Sequence, residues 1–129
     1  MQKLFILSIL AVIATGTLFG QKEEKEGKAW LNGCADAATI NVTGLWRSPD
    51  WGRISLNQSE GSRKVVGSGD GWEISGVVSG TTACLLFSHN GKIAYTAKLT
   101  AEGATELTGV YAKGLLTPAV KTIPMHLAK

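Results

Sequence analysis

An alternation of apolar and polar residues begins at Ile40, continues to the last residues of the chain, and restricts the possible folds more than any other property of the sequence. A period of two is the pattern of a half-buried β-strand, whose successive side chains point to opposite faces of a sheet. Turn-forming residues divide the alternation into eight runs. The apolar members of these runs are, in order, Ile40, Val42 and Trp46; Ile54 and Leu56; Val65 and Val66; Trp72, Ile74 and Val78; Leu85 and Phe87; Ile93, Tyr95, Ala97 and Leu99; Leu107 and Tyr111; and Ile123, Met125 and Leu127. The sequence therefore predicts an all-β protein, an antiparallel up-and-down meander of about eight strands.

The connections between these runs are short, and one of them carries a specific turn signal. The pair Asn90-Gly91 favours the type I′ turn of a two-residue hairpin, so the fifth and sixth strands should pair. Gly44, Gly76 and Gly109 each follow Thr or Ser, and we expect them to relieve strand curvature and to leave room for a neighbouring aromatic ring. Because closure removes both unpaired edges of a meander, we predict a closed eight-stranded barrel over residues 40–129.

The first 20 residues have the pattern of a secretory signal peptide. Lys3 precedes an apolar stretch from Leu4 to Ala14, and small and turn-forming residues follow as far as Gly20. The stretch is shorter than the roughly 20 apolar residues that a membrane-spanning helix needs. We therefore expect cleavage after Gly20 or after Gly16, no permanent membrane anchor, and a mature protein that is secreted or periplasmic.

Residues 21–39 are expected to link the signal peptide to the barrel. The part from Gln21 to Lys28 has mixed charge and no apolar side chain to bury, which predicts a polar spacer. Trp30 and Leu31, which follow the spacer, could cap one end of the barrel. The short run from Ala35 to Thr39 could form a single helical turn.

Two cysteines, Cys34 and Cys84, are present. In an oxidising compartment the simplest arrangement is one disulfide. It would close a loop of about 50 residues and stabilise the fold by about 4 kcal/mol in the chain-entropy picture. The alternative is two unpaired cysteines, with Cys84 acting as a small buried hydrophobe.

Several function classes receive no support from the sequence. The net charge of +3 is spread among acidic residues without a basic stripe, which argues against a nucleic-acid partner. His89 and His126 are the two histidines, and neither lies in a nucleophile motif or at a common metal-ligand spacing to the cysteines. We expect no enzyme activity, no metal and no cofactor.

Aromatic side chains on strands or in turns are the candidates for a binding site, together with one nearby cation. Trp51 differs from the others because it lies in a predicted turn, where its indole could form a contact surface or fold over and plug the end of the barrel. The alternative for the rest is that they fill the core. The candidate ligand-binding residues are Trp46, Trp51, Arg53, Trp72, Tyr95 and Tyr111.

Two functions are compatible with these residues. The first is a binding module for a small apolar or aromatic ligand, which predicts aromatic residues around an open interior. The second is a protein-interaction module, such as a protease or lysozyme inhibitor, which predicts a filled barrel with Trp51 or Trp30 projecting outward. Its contact element would be the segment from Gln21 to Asp36 or the loop from Ser48 to Arg53. The sequence leaves the oligomeric state open.

The stretch Thr43-Gly44-Leu45-Trp46, followed by Asp50, Gly52 and an alternating strand, resembles the opening of avidin and streptavidin-type barrels. Its Gly-x-Trp start is also similar to that of lipocalins. The resemblance implies an eight-stranded barrel that holds a small ligand. In the avidin family the turn after this tryptophan contacts biotin, whereas Ser48, Pro49 and Arg53 occupy the region here, with one inserted residue.

Overall fold

A computed structural model describes residues 25–129 of the chain, so the predicted signal peptide and the start of the spacer lie outside the described residues. The strands are β1 (Gly44–Ser48), β2 (Gly52–Gln58), β3 (Lys64–Gly69), β4 (Trp72–Ser79), β5 (Thr82–His89), β6 (Lys92–Ala101), β7 (Glu106–Lys113) and β8 (Ile123–Ala128). Each strand pairs antiparallel with the next, and β8 returns to β1. The predicted all-β, up-and-down, closed barrel is confirmed.

Two tight hairpins lie at the same end of the barrel. Asn90 and Gly91 join β5 to β6 with φ angles of 52° and 78°, as the type I′ prediction requires. Asp70 and Gly71 join β3 to β4 in the same way, with φ angles of 46° and 87°. The second hairpin was not singled out in the sequence, although Asp-Gly carries the same signal as Asn-Gly.

The first strand begins later than the alternation predicts, at Gly44 instead of Ile40. The buried side chain of Gln58 binds the preceding segment instead of a strand ladder. Its amide oxygen accepts a hydrogen bond from the Val42 N–H at 2.9 Å, and its Nε2 donates to the Ile40 carbonyl at 3.1 Å and to the Ser62 carbonyl at 2.9 Å. One side chain therefore satisfies the backbone groups that a longer β1 would have paired.

Alternate side chains from all eight strands point inward and fill the barrel. The residues of the buried core are each at most 9% exposed, and most are at most 2% exposed, while Trp72, Tyr95 and Tyr111 are partly buried against them. Apolar contacts among these side chains therefore stabilise the barrel from its interior. The buried core consists of Val42, Trp46, Trp51, Ile54, Leu56, Val65, Ile74, Val78, Ala83, Leu85, Phe87, Ala97, Leu99, Leu107, Met125 and Leu127.

Glycines inside the strands allow neighbouring backbones to approach closely. A Cβ atom at Gly76 would overlap the Cys84 carbonyl oxygen, and one at Gly109 would overlap the Lys98 carbonyl oxygen. The expectation that these glycines make room for an aromatic ring is wrong, because a neighbouring strand's main chain takes the space. Strong coiling of a small barrel brings the strands together at these points.

A helix over residues 25–32 lies on the outer wall of the barrel, where part of the polar spacer was expected. Gly27 has no side chain and lies against the side chains of Ile93 and Leu86. The Trp30 indole donates a hydrogen bond to the Leu116 carbonyl at 2.8 Å. Trp30 therefore lies on the side of the barrel and does not cap its end, and the helical turn expected from Ala35 to Thr39 is not formed.

The barrel closes through a short seam between β1 and β8. Only Arg47 and Ala128 are paired across it within the described residues. Because the two strands are antiparallel, the earlier part of β8 extends past the end of β1 and runs beside the turn that leads into β2. Ile123, on the inward-facing register of β8, is accordingly 42% exposed. The wall is thus least complete beside the β1–β2 turn.

Candidate functional site

The β1–β2 turn carries a tryptophan that folds into the end of the barrel. Trp51 is 9% exposed, and its backbone N–H donates to the Ser48 hydroxyl at 3.3 Å. Gly52, which begins β2, has a φ of 68°, a left-handed conformation that glycine adopts without strain. Of the two alternatives for Trp51, the structure has the plug and not the exposed contact surface.

Four aromatic rings surround the Trp51 indole. The ring centroids of Trp72, Tyr95 and Tyr111 lie 5.6, 5.3 and 5.2 Å from it in edge-to-face contacts. The Phe87 ring lies closer, at 4.5 Å, with a tilt of 43°. Each such pair contributes about 0.5–1.5 kcal/mol beyond the burial of its surface. We call these five residues the aromatic cluster.

The surrounding rings also contact one another. Tyr95 lies 5.5 Å from Trp72 and 5.8 Å from Tyr111, centroid to centroid. Trp72 in turn contacts the His89 ring at 5.8 Å, and His89 Nδ1 lies 3.2 Å from the Gly71 carbonyl oxygen. The rings from β4, β6 and β7 therefore form a continuous aromatic wall around the indole of the turn.

The indole N–H of Trp51 is an unsatisfied hydrogen-bond donor within the described residues. Its Nε1 is buried, and no acceptor lies within hydrogen-bonding distance among the described residues. An unsatisfied buried donor destabilises a fold by about 1–3 kcal/mol. Nearby, partial burial, the Asp50 carboxylate and Tyr95 raise the pKa of the Tyr111 hydroxyl above its ordinary value, so Tyr111 stays a neutral donor. In the plugged position, Trp51 is well packed, but its indole N–H lacks a hydrogen-bond acceptor among the described residues.

The structure brings together four of the six predicted site residues and separates two. Trp46 lies at the opposite end of the barrel, 2% exposed, and its indole donates to the Val42 carbonyl at 2.9 Å. It adjoins a cavity of about 280 Å³, and the Lys129 ammonium lies 4.9 Å from its ring centroid. Arg53 is exposed on the outer face of β2, because Ile54 takes the inward position.

Phe87 and His89 are members or neighbours of the aromatic cluster that the sequence did not identify as site residues. Phe87 was recognised only as an apolar residue of the fifth strand. Its place in the cluster follows from the register: it pairs with Tyr95 on β6, because the pairing shifts by one residue between Phe87 and Ser88. A two-residue hairpin at Asn90-Gly91 would by itself pair Phe87 with Ala94, so the hairpin signal does not reveal this contact, which depends on a β-bulge.

Cys34, which follows the helix, and Cys84 of β5 lie side by side, but the predicted disulfide is not formed in the structure. Both are buried free thiols, and the two side chains come within 2.6 Å of each other. Arg63 donates to the Cys34 carbonyl through its Nη2 and to the Val78 carbonyl, at 3.1 Å, through its Nε. Burial, reinforced by the neighbouring Cys34 thiol, raises the pKa of Cys84 to about 12, against opposing effects of Lys98 and Arg63.

The raised pKa predicts how the stability of the reduced protein depends on pH. Burial in the folded protein raises the pKa of the Cys84 thiol from its ordinary value of 9.0 to about 12. Its contribution is therefore complete below pH 9 and is lost as the pH rises towards 12, at up to about 1.4 kcal/mol per pH unit. The measurement is urea unfolding of the reduced protein from pH 8 to pH 11, compared with Cys84→Ser. Curves that stay parallel over this range would contradict the assignment.

Within residues 25–129, no three His, Cys, Asp or Glu side chains are grouped so that they could hold a metal ion. Over the same residues, no helix has both the length and the apolar character needed to cross a bilayer. Comparisons with family models, with curated proteins and with solved structures find no match to the chain. The resemblance to avidin and lipocalin barrels is shown only as far as the closed, eight-stranded antiparallel barrel.

Proposed function

We propose that the protein is a non-catalytic binding module for a small, flat aromatic ligand, and that the ligand binds in the aromatic cluster in place of the Trp51 indole. The observation that carries the proposal is the position of Trp51. An indole supplied by a turn occupies a site whose walls are Phe87, Trp72, Tyr95 and Tyr111. Rings arranged edge-on around one flat group favour another flat aromatic group of similar size.

The energetics of Trp51 favour an exchange with a ligand. In the plugged position its N–H lacks an acceptor among the described residues, whereas in the open position it would reach water. The ring contacts that Trp51 gives up would be remade by the ligand. A binding-competent open state lowers the apparent affinity only by the free energy needed to populate it. The unsatisfied N–H makes that free energy smaller than the packing alone would require.

The surroundings of the turn are suited to such a movement. Only three residues, 49–51, separate β1 from β2, and Gly52 follows them with a positive φ. The turn runs beside the part of β8 that β1 does not cover, where Ile123 is exposed. The indole can therefore leave the barrel end without separating paired strands.

The alternative, a protein-interaction module, agrees with the filled barrel interior but not with the projecting tryptophan that it requires. Trp51 is turned into the barrel, and the Trp30 indole is held by the Leu116 carbonyl. We further propose that the protein is exported to the periplasm or the medium. There the adjacent Cys34 and Cys84 thiols would be oxidised to a disulfide.

Fluorescence titration with 1-naphthol tests the ligand site. The wild-type protein should bind 1-naphthol saturably, with a change in tryptophan emission. Trp51→Ala, which removes the tethered competitor, should bind it more tightly, by about tenfold for each 1.4 kcal/mol of closing free energy that is lost.

Trp46→Phe is the matched control, since Trp46 is also buried and lies at the other end of the barrel. It should leave the affinity for 1-naphthol unchanged. Saturable binding that is lost in Trp46→Phe and is unaffected by Trp51→Ala would place the ligand at the wrong end and refute the proposal. The absence of any 1-naphthol binding to folded Trp51→Ala would refute it as well.

A further inference from the structure

The outer wall of the barrel carries a groove of about 870 Å³ beneath the helix of residues 25–32. One side of the groove is formed by Lys28 and Leu31 of the helix, and the floor by the outward faces of β4 and β5, with Lys64 of β3 at one edge. This volume lies within the roughly 300–1,000 Å³ typical of specific ligand sites. The groove is separate from the aromatic cluster, because its residues point away from the barrel interior.

The floor of this groove alternates apolar and hydroxyl-bearing side chains. Val77 and Leu86 provide apolar surface, and Ile93 continues it at the turn end. Ser75 and Ser88 lie between them with their hydroxyls on the same outward face. This pattern fits an extended peptide with apolar side chains. Its side chains would contact the apolar surface, and its backbone amides could form hydrogen bonds with the serine hydroxyls.

The two ends of the groove differ in charge. Arg63 and Lys64 lie at one end, where β3 begins, and Glu73 lies at the other end, opposite Ser68. Ser68 is four residues along β3 from Lys64, so the charged ends are about 13 Å apart at the strand rise of roughly 3.3 Å per residue. That span equals about four residues of an extended chain.

Arg63 holds the basic end rigidly. Its guanidinium donates to the Cys34 and Val78 carbonyls, so its positive charge is fixed at the mouth of the groove while Lys64 beside it is exposed. A fixed cation next to a solvated one favours an anionic group on the partner and disfavours a cationic one.

We propose that this groove is an interaction surface for a partner protein that inserts an extended segment of about four residues, with an apolar middle and a carboxylate at the Arg63–Lys64 end. The apolar side chains contact Val77, Leu86 and Leu31. The carboxylate lies beside Lys64 and Arg63, at the end of the groove where two cations lie side by side. The surface does not depend on the proposed ligand site and could operate with Trp51 in its plugged position.

Peptide titration with a charge-swap variant tests this surface. The probes are acetyl-Ser-Val-Leu-Asp-amide and its counterpart acetyl-Ser-Val-Leu-Lys-amide, measured by calorimetry and by the amide shifts of Ser75 and Ser88. The wild-type protein should bind the acidic peptide more tightly than the basic one. Lys64→Glu should weaken binding of the acidic peptide about tenfold or more and reverse the preference.

Lys121→Glu is the control, because it makes the same charge change at an exposed position outside the groove. It should leave both affinities unchanged. Equal binding of the two peptides, no binding of either, or equal effects of Lys64→Glu and Lys121→Glu would overturn the proposal. Unchanged affinity of 1-naphthol in Lys64→Glu keeps the result separate from that of the aromatic cluster.

Discussion

Replacement of Trp51 by alanine should lower the free energy of unfolding by about 3–5 kcal/mol, as expected when a buried tryptophan is truncated and its site cannot collapse. The four ring contacts in the cluster are lost together, and the rings left behind belong to different strands that cannot close the gap. Urea unfolding followed by circular dichroism measures the loss. A value under about 1 kcal/mol would mean that Trp51 is not packed in the barrel end.

Two further measurements test whether the loss of stability arises from the buried position of Trp51. Indole should bind the void in Trp51→Ala and restore part of the stability, by an amount that increases with indole concentration. Trp51→Phe should destabilise the protein less than Trp46→Phe, because Trp46 gives up a hydrogen bond to the Val42 carbonyl and Trp51 gives up none found among the described residues. The opposite order would show that the Trp51 N–H has a partner in solution.

The barrel itself could be predicted from the sequence because its signals are local. A period of two assigns most inward residues, and Asn90-Gly91 defines a hairpin without reference to the rest of the chain. Ile93 is an exception: it continues the alternation of Tyr95 and Ala97 but faces outward, next to the register shift between β5 and β6. The start of β1 was predicted four residues too early because alternation continues through Ile40 and Val42. There the backbone partners come from the Gln58 side chain, a contact 16 residues away in sequence for Val42, which no local pattern reveals.

The candidate site was predictable in its residue types but not in its assembly. Alternation correctly turned Trp46, Trp72, Tyr95 and Tyr111 inward, but the end of the barrel that each reaches depends on the stagger between strands. That stagger places Trp46 at one end and the other three at the other. Trp51 was ambiguous because a turn residue can face either way, and the choice depends on rings from four other strands.

The helix of residues 25–32 was missed for a related reason. Its own sequence has little apolar surface, and a short helix is marginal without tertiary contacts. Its stabilising contacts come from Gly27 against Ile93, from Trp30 with the Leu116 carbonyl, and from the segment that leads to Cys34. Since β-strands and the β7–β8 connection supply those partners, the helix becomes visible only after the barrel is formed.

Oxidation of Cys34 and Cys84 should raise the free energy of unfolding by about 4 kcal/mol, because the bond closes a loop of about 50 residues in the unfolded chain. The native side chains are already within 2.6 Å of each other, so little rearrangement is required. With oxidised glutathione as the oxidant, the two thiols lose two protons and two electrons, and the glutathione disulfide is reduced to two thiols. Urea unfolding of the oxidised and reduced forms measures the gain. The double variant Cys34→Ser/Cys84→Ser should not respond to the oxidant.

The structure also predicts that oxidation of Cys34 and Cys84 is faster during folding than in the folded protein. Thiol–disulfide exchange requires a thiolate, and burial raises the pKa of Cys84 to about 12, so the folded reduced protein holds almost no Cys84 thiolate at neutral pH. Both thiols are also buried. Oxidised glutathione should therefore act slowly on the folded protein and rapidly during refolding from urea, as followed by trapping free thiols and measuring mass. Equal rates in the two conditions would show that burial of the two thiols does not limit their oxidation in the folded protein.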